Sequence, residues 1–383
     1  MRSNSTLPVP AAKTVATTPT AIADSSKLRS LPTLPQLSLK NKILKSLHLL
    51  TYYSGLSSLY AATKKTRTAA ILMYHSIPAP QEKPWIDPCN CLSAQQFEEQ
   101  IQFLAAQRNV VSLDRLLKMR QQGSSIAKGT VAITFDDGYL NNLTVAAPIL
   151  AKYQLPATIY LATAFVSAGE NQWIDTLYST FRARSQHTLD LSDFSPSLQQ
   201  WDLNQPQEQT AAYGAIAQVL IEATVSQRTA ILTAIDQQLA PTAYPPRLTM
   251  TWEDARQLQR EYPNITLGVH TANHIDLETH SEFAEQEIVA SITAMERELG
   301  ERPKHLAFPY NRFNKQSKAQ AARYLRSAVA DSPNDGVVRT HTSNYELPRL
   351  CAPRSLTMLK SWTNGGFPDT GLKLFRRAWL NPY

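Results

Sequence analysis

At 383 residues, with 43% hydrophobic and 18% charged side chains, the chain has the make-up of a folded protein able to bury a sizeable core, which excludes a fibrous or wholly disordered polymer. Its net charge of +7 is modest and spread along the sequence, which argues against nucleic acid as a partner and suits an anionic glycan or a membrane surface. Three cysteines, Cys89, Cys91 and Cys351, make neither a disulfide framework nor a cysteine zinc module and read as reduced thiols.

Residues 1–38 are rich in Thr, Ala, Pro and Ser, lack an apolar run long enough for a signal peptide, and read as a disordered leader. Residues 39–68 are more apolar but contain Lys45, His48 and Gly55. A bilayer span needs about 20 predominantly apolar residues, so this stretch is expected to lie as an amphipathic helix on the domain or, through 39–64, on a membrane surface. With no export signal, the expected location is cytoplasmic, at the periphery of the inner membrane.

From residue 69 to 383 the pattern is that of one catalytic domain. Near-continuous apolar runs at 69–74, 109–113, 130–135, 157–162, 265–270, 305–310 and 327–330 read as strands buried on both faces of a parallel sheet. Helical patterns separate them. Ser93 with Gln96 forms a capping box ahead of Phe97, Ile101 and Leu104. Thr279 with Glu282 is expected to open a helix carrying Ile288, Ile292, Met295 and Leu299, which Gly300 ends. This alternation predicts an α/β barrel or a doubly wound sheet. Residues 184–247, rich in Gln, Ala, Thr and Pro, break the rhythm and are expected to form a helical insertion on one face.

Four segments at predicted strand ends carry chemistry. Thr134-Phe135-Asp136-Asp137-Gly138-Tyr139 runs an apolar strand into two carboxylates, where an α/β barrel builds its active site. Neighbours on an extended backbone point oppositely, so one Asp suits a metal and the other the reacting groups, and Gly138 allows a sharp turn. On its own, Asp-Asp-Gly is a common turn. His270 and His274, four apart, fall on one side of a helical turn and could chelate an ion, though a lone His-x-x-x-His is a weak signal. Two histidines and an Asp make a three-ligand set with an open position, the composition of a catalytic zinc site. Phe308-Pro309-Tyr310-Asn311 and Leu72-Met73-Tyr74-His75 end two further strands.

In this order the segments resemble the polysaccharide deacetylases of carbohydrate esterase family 4, which share the NodB homology domain. The resemblance covers residues 71–350 and is most specific at 134–139 and 270–274. It implies a distorted (β/α) barrel with a helical insertion, and hydrolytic removal of N-acetyl groups from amino sugars of a poly- or oligosaccharide. It implies Asp136 as catalytic base and Asp137, His270 and His274 as ligands of a divalent metal, zinc first among candidates. Pro309 and Tyr310 would line the substrate groove, and Trp173, Asp175 and Arg349 stand in phrases that also look familial and are taken as substrate-binding. Three departures stand out. No arginine precedes Pro309-Tyr310, Asn311 replaces a glycine, and no Leu-x-His follows near the C-terminus. The "MYH" at 73–75 resembles exopolysaccharide deacetylases with a permuted motif order, which assigns His75 as the general acid. Arg349 could then replace the missing arginine by pairing with Asp136. Two other readings stay open: an inactive glycan-binding domain, and an amidase acting on a non-sugar amide. A scaffold role for the insertion has only its Gln-rich composition behind it.

Overall fold

The structure, a computed structural model, describes residues 68–122, 126–331 and 336–364. The leader at 1–38 and nearly all of the segment 39–68 lie outside the described residues. Seven strands form the centre: β1 (Ala69–Tyr74), β2 (Thr130–Phe135), β3 (Ala157–Leu161), β4 (Ile265–Val269), β5 (His305–Ala307), β6 (Ser327–Asp331) and β7 (Leu347–Cys351). Each pairs in parallel with its successor, and β7 pairs in parallel with β1, so the ring closes in chain order. The β1–β2 seam is the longest, running in register from Ala69↔Thr130 to Tyr74↔Phe135. A closed ring leaves no edge strand exposed. Short strands Asn109–Val110 and Val337–Val338 flank it, on β2 and β1.

One of the seven apolar runs and one of the seven barrel strands therefore differ from expectation. The run at 109–113 contributes a two-residue strand outside the ring. The seventh barrel strand, β7, contains Pro348 and Arg349 and shows no apolar run, because one inward position holds a charged residue that serves the site.

Alternation along the strands explains what fills the barrel. Ile71, Ala132, Tyr160, Ala307, Val329 and Leu347 form one buried interior cluster. Gly268 on β4 makes room for Tyr160; a Cβ there would sit 2.7 Å from the Tyr160 ring. Outward residues such as Leu72, Ile133, Ile159 and Leu267 meet the surrounding helices in the main core. Those helices include α1 (Ala94–Gln107), with the Ser93–Gln96 capping box in place, and α2 (Leu113–Gln121). The helix with Ile288, Ile292 and Met295 begins at Ala284, and Thr279 instead bonds Asp276, whose carboxylate accepts from its hydroxyl at 2.9 Å. Gly300, at φ 71°, ends that helix.

Between β3 and β4 the chain builds a second apolar cluster from three helices and a two-stranded hairpin. Its helices span Trp173–Ala183, Pro206–Glu222 and Val225–Leu239. Leu177, Phe181, Ile216, Leu220, Ile231 and Ile235 are buried within it. Among the described residues no helix is long and apolar enough to cross a membrane.

Candidate metal centre and active site

Two residues beyond the interior layer, the same alternation turns a set of polar side chains into the barrel mouth. Asp136 follows Thr134, His270 follows Gly268, and Arg349 follows Leu347 at spacing two. His75 follows Met73 in the same register directly beyond β1, where its carbonyl accepts from Asn142 Nδ2 at 2.8 Å. All sit at the C-terminal ends of parallel strands, the face on which barrel enzymes place their sites.

Arg349 crosses the barrel interior to Asp136. Its Nη1 donates to Oδ1 at 2.6 Å and its Nη2 to Oδ2 at 2.7 Å, a two-pronged pair that is charge-assisted and directional. Arg349 is 1% exposed and Asp136 2%. The guanidinium also lies 5.9 Å from the Tyr160 ring centroid. Burial alone would raise the Asp136 pKa, but Arg349, with His270 and His75, outweighs it and holds the carboxyl below its usual range.

Asp137 does not continue the strand. Its φ of 72° is left-handed, and so is that of Gly138 at 68°, where a Cβ would strike Leu161. The turn brings the second carboxylate back to the mouth, so both acids approach one imidazole: Asp136 Oδ2 lies 4.0 Å and Asp137 Oδ1 3.5 Å from His270 Nε2. The expectation that His270 and His274 share a helical turn is corrected. The 270–274 segment is not helical, and Thr271 (φ 62°) and His274 (φ 51°) fold it back through left-handed conformations.

Three donor atoms converge there: Asp137 Oδ1, His270 Nε2 and His274 Nε2. Their separations are 3.5 Å (Asp137–His270), 3.3 Å (Asp137–His274) and 3.1 Å (His270–His274). A tetrahedral ion with ligand bonds of ~2.0–2.2 Å spaces its ligands ~3.3–3.6 Å apart, so the triangle fits a divalent cation. The hydrogen bonds fix the tautomers the same way. His270 Nδ1–H donates to the Ala307 carbonyl at 2.8 Å, which leaves a lone pair on Nε2. Tyr310's hydroxyl accepts from Trp173 Nε1 at 2.8 Å and donates to the His274 carbonyl at 3.1 Å. Its remaining lone pair faces His274 Nδ1 at 3.0 Å, so that nitrogen is the donor and Nε2 is again free to bind. Burial also lowers the His270 pKa to about 4, and a neutral imidazole is what a ligand must be.

Several residues taken from sequence as substrate-binding are buried. Asp175 is fully buried, 0% exposed, and cannot meet a glycan. Burial pushes its pKa well above the ordinary carboxylate value, opposed by the Tyr139 hydroxyl. Trp173 is buried and serves Tyr310; Arg349 is buried and serves Asp136; Pro309 is buried beneath the turn that carries Tyr310. Tyr310 is partly buried, and Asn311 beside it, at φ 57°, tolerates the left-handed backbone better than most residues. The Asn311 side chain also accepts from Arg349 Nη2 at 3.0 Å, so it does work a glycine could not. Past Asn311 the rim opens into a depression of about 420 Å³ lined by Arg312, Phe313, Asn314, Lys318 and Glu346.

Two residues have no counterpart in the sequence reading. Arg228 and Glu287 both bond the 270–274 segment from outside the barrel. A helical wheel held their signal: Arg228 is three residues before buried Ile231, and Glu287 is three after buried Ala284 and four before buried Ser291, so each is a charge on a buried face.

Residues 123–328 match the family model described as Polysaccharide deacetylase, a span that leaves out His75 and Arg349. Among solved structures, the Streptococcus pyogenes deacetylase PplD in complex with acetate is 17% identical with a TM-score of 0.51, over 79% of this chain and 100% of that one. IcaB from Ammonifex degensii is 14% identical with a TM-score of 0.50, over 78% and 97%. These likenesses are of fold. No curated protein matches the chain.

Proposed function

The chain belongs to the polysaccharide deacetylase family, and from that premise we propose that it is a metal-dependent hydrolase removing N-acetyl groups from amino sugars of a poly- or oligosaccharide. One observation carries the reading: a buried, ionised Asp136 held by Arg349 lies beside three converging metal-donor atoms. Asp137, His270 and His274 would hold the ion, and zinc suits a two-nitrogen, one-oxygen set. A divalent ion so bound supplies a Lewis acid for the amide carbonyl and lowers the pKa of water.

The protein's own groups do the rest. Arg349 occupies one lone pair on each Asp136 oxygen and leaves others to take a proton from the attacking water. His75, as general acid, gives a proton to the departing nitrogen as the C–N bond breaks, so acetate and a free amine result. The N–H groups of Asn311 and Arg312 are engaged by the carbonyls of Phe308 and Pro309, which leaves the Tyr310 N–H as this segment's donor to the developing oxyanion. The His75 position ahead of the Asp pair supports the exopolysaccharide type. Arg349 standing where the family's missing arginine would act weighs against an inactive binding domain.

The test is acetate release from N-acetylhexosamine oligomers with zinc or cobalt, with chelator, and with Asp136→Asn. The expected result is metal-dependent release that Asp136→Asn reduces ~10²–10⁴-fold while still binding metal. Full activity in that variant removes Asp136 as base, and release that survives complete metal removal overturns the metal-dependent reading.

A further inference from the structure

The 270–274 segment is held from two sides by buried charges of opposite sign. Arg228, in the helix Val225–Leu239, is 4% exposed and aims its donors at backbone carbonyls. Nε–H reaches Leu220 at 3.2 Å, Nη1 reaches Asn273 at 3.1 Å, and Nη2 reaches His274 at 3.3 Å. Its guanidinium carbon also stands 5.3 Å from the Trp173 ring centroid, and Trp173 bonds the tyrosine that orients His274. Opposite, Glu287 in the helix Ala284–Leu299 is 5% exposed. Its Oε2 accepts from the Ala272 N–H at 3.0 Å and the Asn273 N–H at 2.8 Å, and its Oε1 from Asn273 Nδ2 at 2.7 Å.

The labour is divided: the acid takes the amides of Ala272 and Asn273, and the base takes the carbonyls of Asn273 and His274. That matters because the turn is unfavourable on its own. Thr271 and His274 both adopt left-handed conformations, which non-glycine residues keep only when their surroundings over-determine them. A relaxed turn would swing His274 Nε2 away from Asp137 and His270. Arg228 and Glu287 lie far apart in sequence and on different elements, yet bond successive peptide groups of the same turn.

We propose that Arg228 and Glu287 are positioning residues that clamp the metal-binding turn, which makes the helical insertion a working part of the metal centre. The inference rests on the metal reading above and is tested without turnover. The metal-free full-length protein is titrated with Co²⁺, reading the dissociation constant and the ligand-field absorption of the bound ion. Outer partners of metal ligands typically contribute 10–100-fold to affinity, and Arg228→Met is expected to weaken Co²⁺ binding by about that factor and to alter the absorption band. Glu287→Gln, which keeps one carbonyl acceptor, is expected to lose less. Because both act on one turn, the double variant is expected to lose less than the product of the two.

Co²⁺ binding by Arg228→Met equal to that of the unsubstituted protein overturns the clamp while leaving the metal centre intact. No Co²⁺ binding by the unsubstituted protein overturns the metal centre and the clamp together. Should Arg228→Met fail to fold, Arg228→Lys decides: a folded lysine variant with unchanged affinity and spectrum sinks the proposal, and a weakened one supports it.

Discussion

The two ends of the barrel hold similar groups in different settings. At the C-terminal ends of the strands lie Asp136, Asp137, His270, His274 and the Tyr310 hydroxyl. At the N-terminal ends, His305 opens β5 and Ser327 opens β6, with His305 Nδ1 at 2.9 Å from Ser327 Oγ and Nε2 at 3.5 Å from Asp114 Oδ1. A hydroxyl, an imidazole and a carboxylate in that sequence would pass as a hydrolytic triad on geometry alone. Yet Ser327 is fully buried and His305 is 1% exposed, so no substrate reaches them. The N-terminal group instead ties α2 to the strands, with Lys304 and Arg326 also near Asp114. The backbone separates the two ends as clearly. Of seven described non-glycine residues at positive φ, five (Asp137, Thr271, His274, Tyr310, Asn311) belong to the C-terminal mouth. Strain gathers where side chains must be aimed, with only Gln154 and Ala240 elsewhere among the described residues.

Three experiments bear on that contrast, the strongest first. Arg349→Met should be the most damaging change at the mouth. It leaves the Asp136 carboxylate buried without its cation, which costs on the order of 3–5 kcal/mol and should appear as a lowered denaturation midpoint together with lost turnover. A variant as stable as the parent would mean that the barrel interior tolerates a lone charge or that Asp136 protonates instead. His75→Ala comes next: turnover should fall ~10²–10⁴-fold with metal content unchanged, measured by steady-state rates beside elemental analysis. An unaltered rate would remove His75 from the chemistry.

The smallest effect belongs to the opposite end. The Asp114 carboxyl is lowered to about 2, first by its bond to His305, from an ordinary 3.8. Its contribution is therefore present above pH 3.8 and is lost as pH falls from there through about 2. Over a third of the side chain is exposed, so water screens the pair and Asp114→Asn should cost less than about 1 kcal/mol. Acid unfolding curves should converge for the two proteins near pH 2, with turnover at neutral pH the same. A loss of turnover would erase the distinction between the ends.

How far the sequence could be read follows the same division. The apolar strands and the Asp136-Asp137 and His270–His274 segments announce themselves because local pattern encodes them. β7 does not, because Pro348 and Arg349 interrupt the apolar signal that buried strands otherwise give. The left-handed turn at 271–274 is invisible for a different reason: Thr271 and His274 have no preference for that conformation, and remote Arg228 and Glu287 supply the bonds that hold it. Asp175 misleads in the opposite sense, since a carboxylate near a motif suggests contact with ligand and only packing shows it sealed away. Local propensity reaches the ligands; what aims them is set by tertiary contact.

Closure of the ring in chain order has a consequence for the protein's birth. Asp136 and the arginine that neutralises it are 213 residues apart. At a synthesis rate of ~5–20 residues per second, the ribosome makes Asp136 on the order of ten to forty seconds before Arg349 exists. Through that interval the first strands can pair, yet the acid between them has no cation to bury against, and β1 and β2 wait for β7 to complete the ring. The centre is therefore among the last parts of the nascent chain to settle, and any truncation ahead of residue 349 leaves a barrel both open and internally charged.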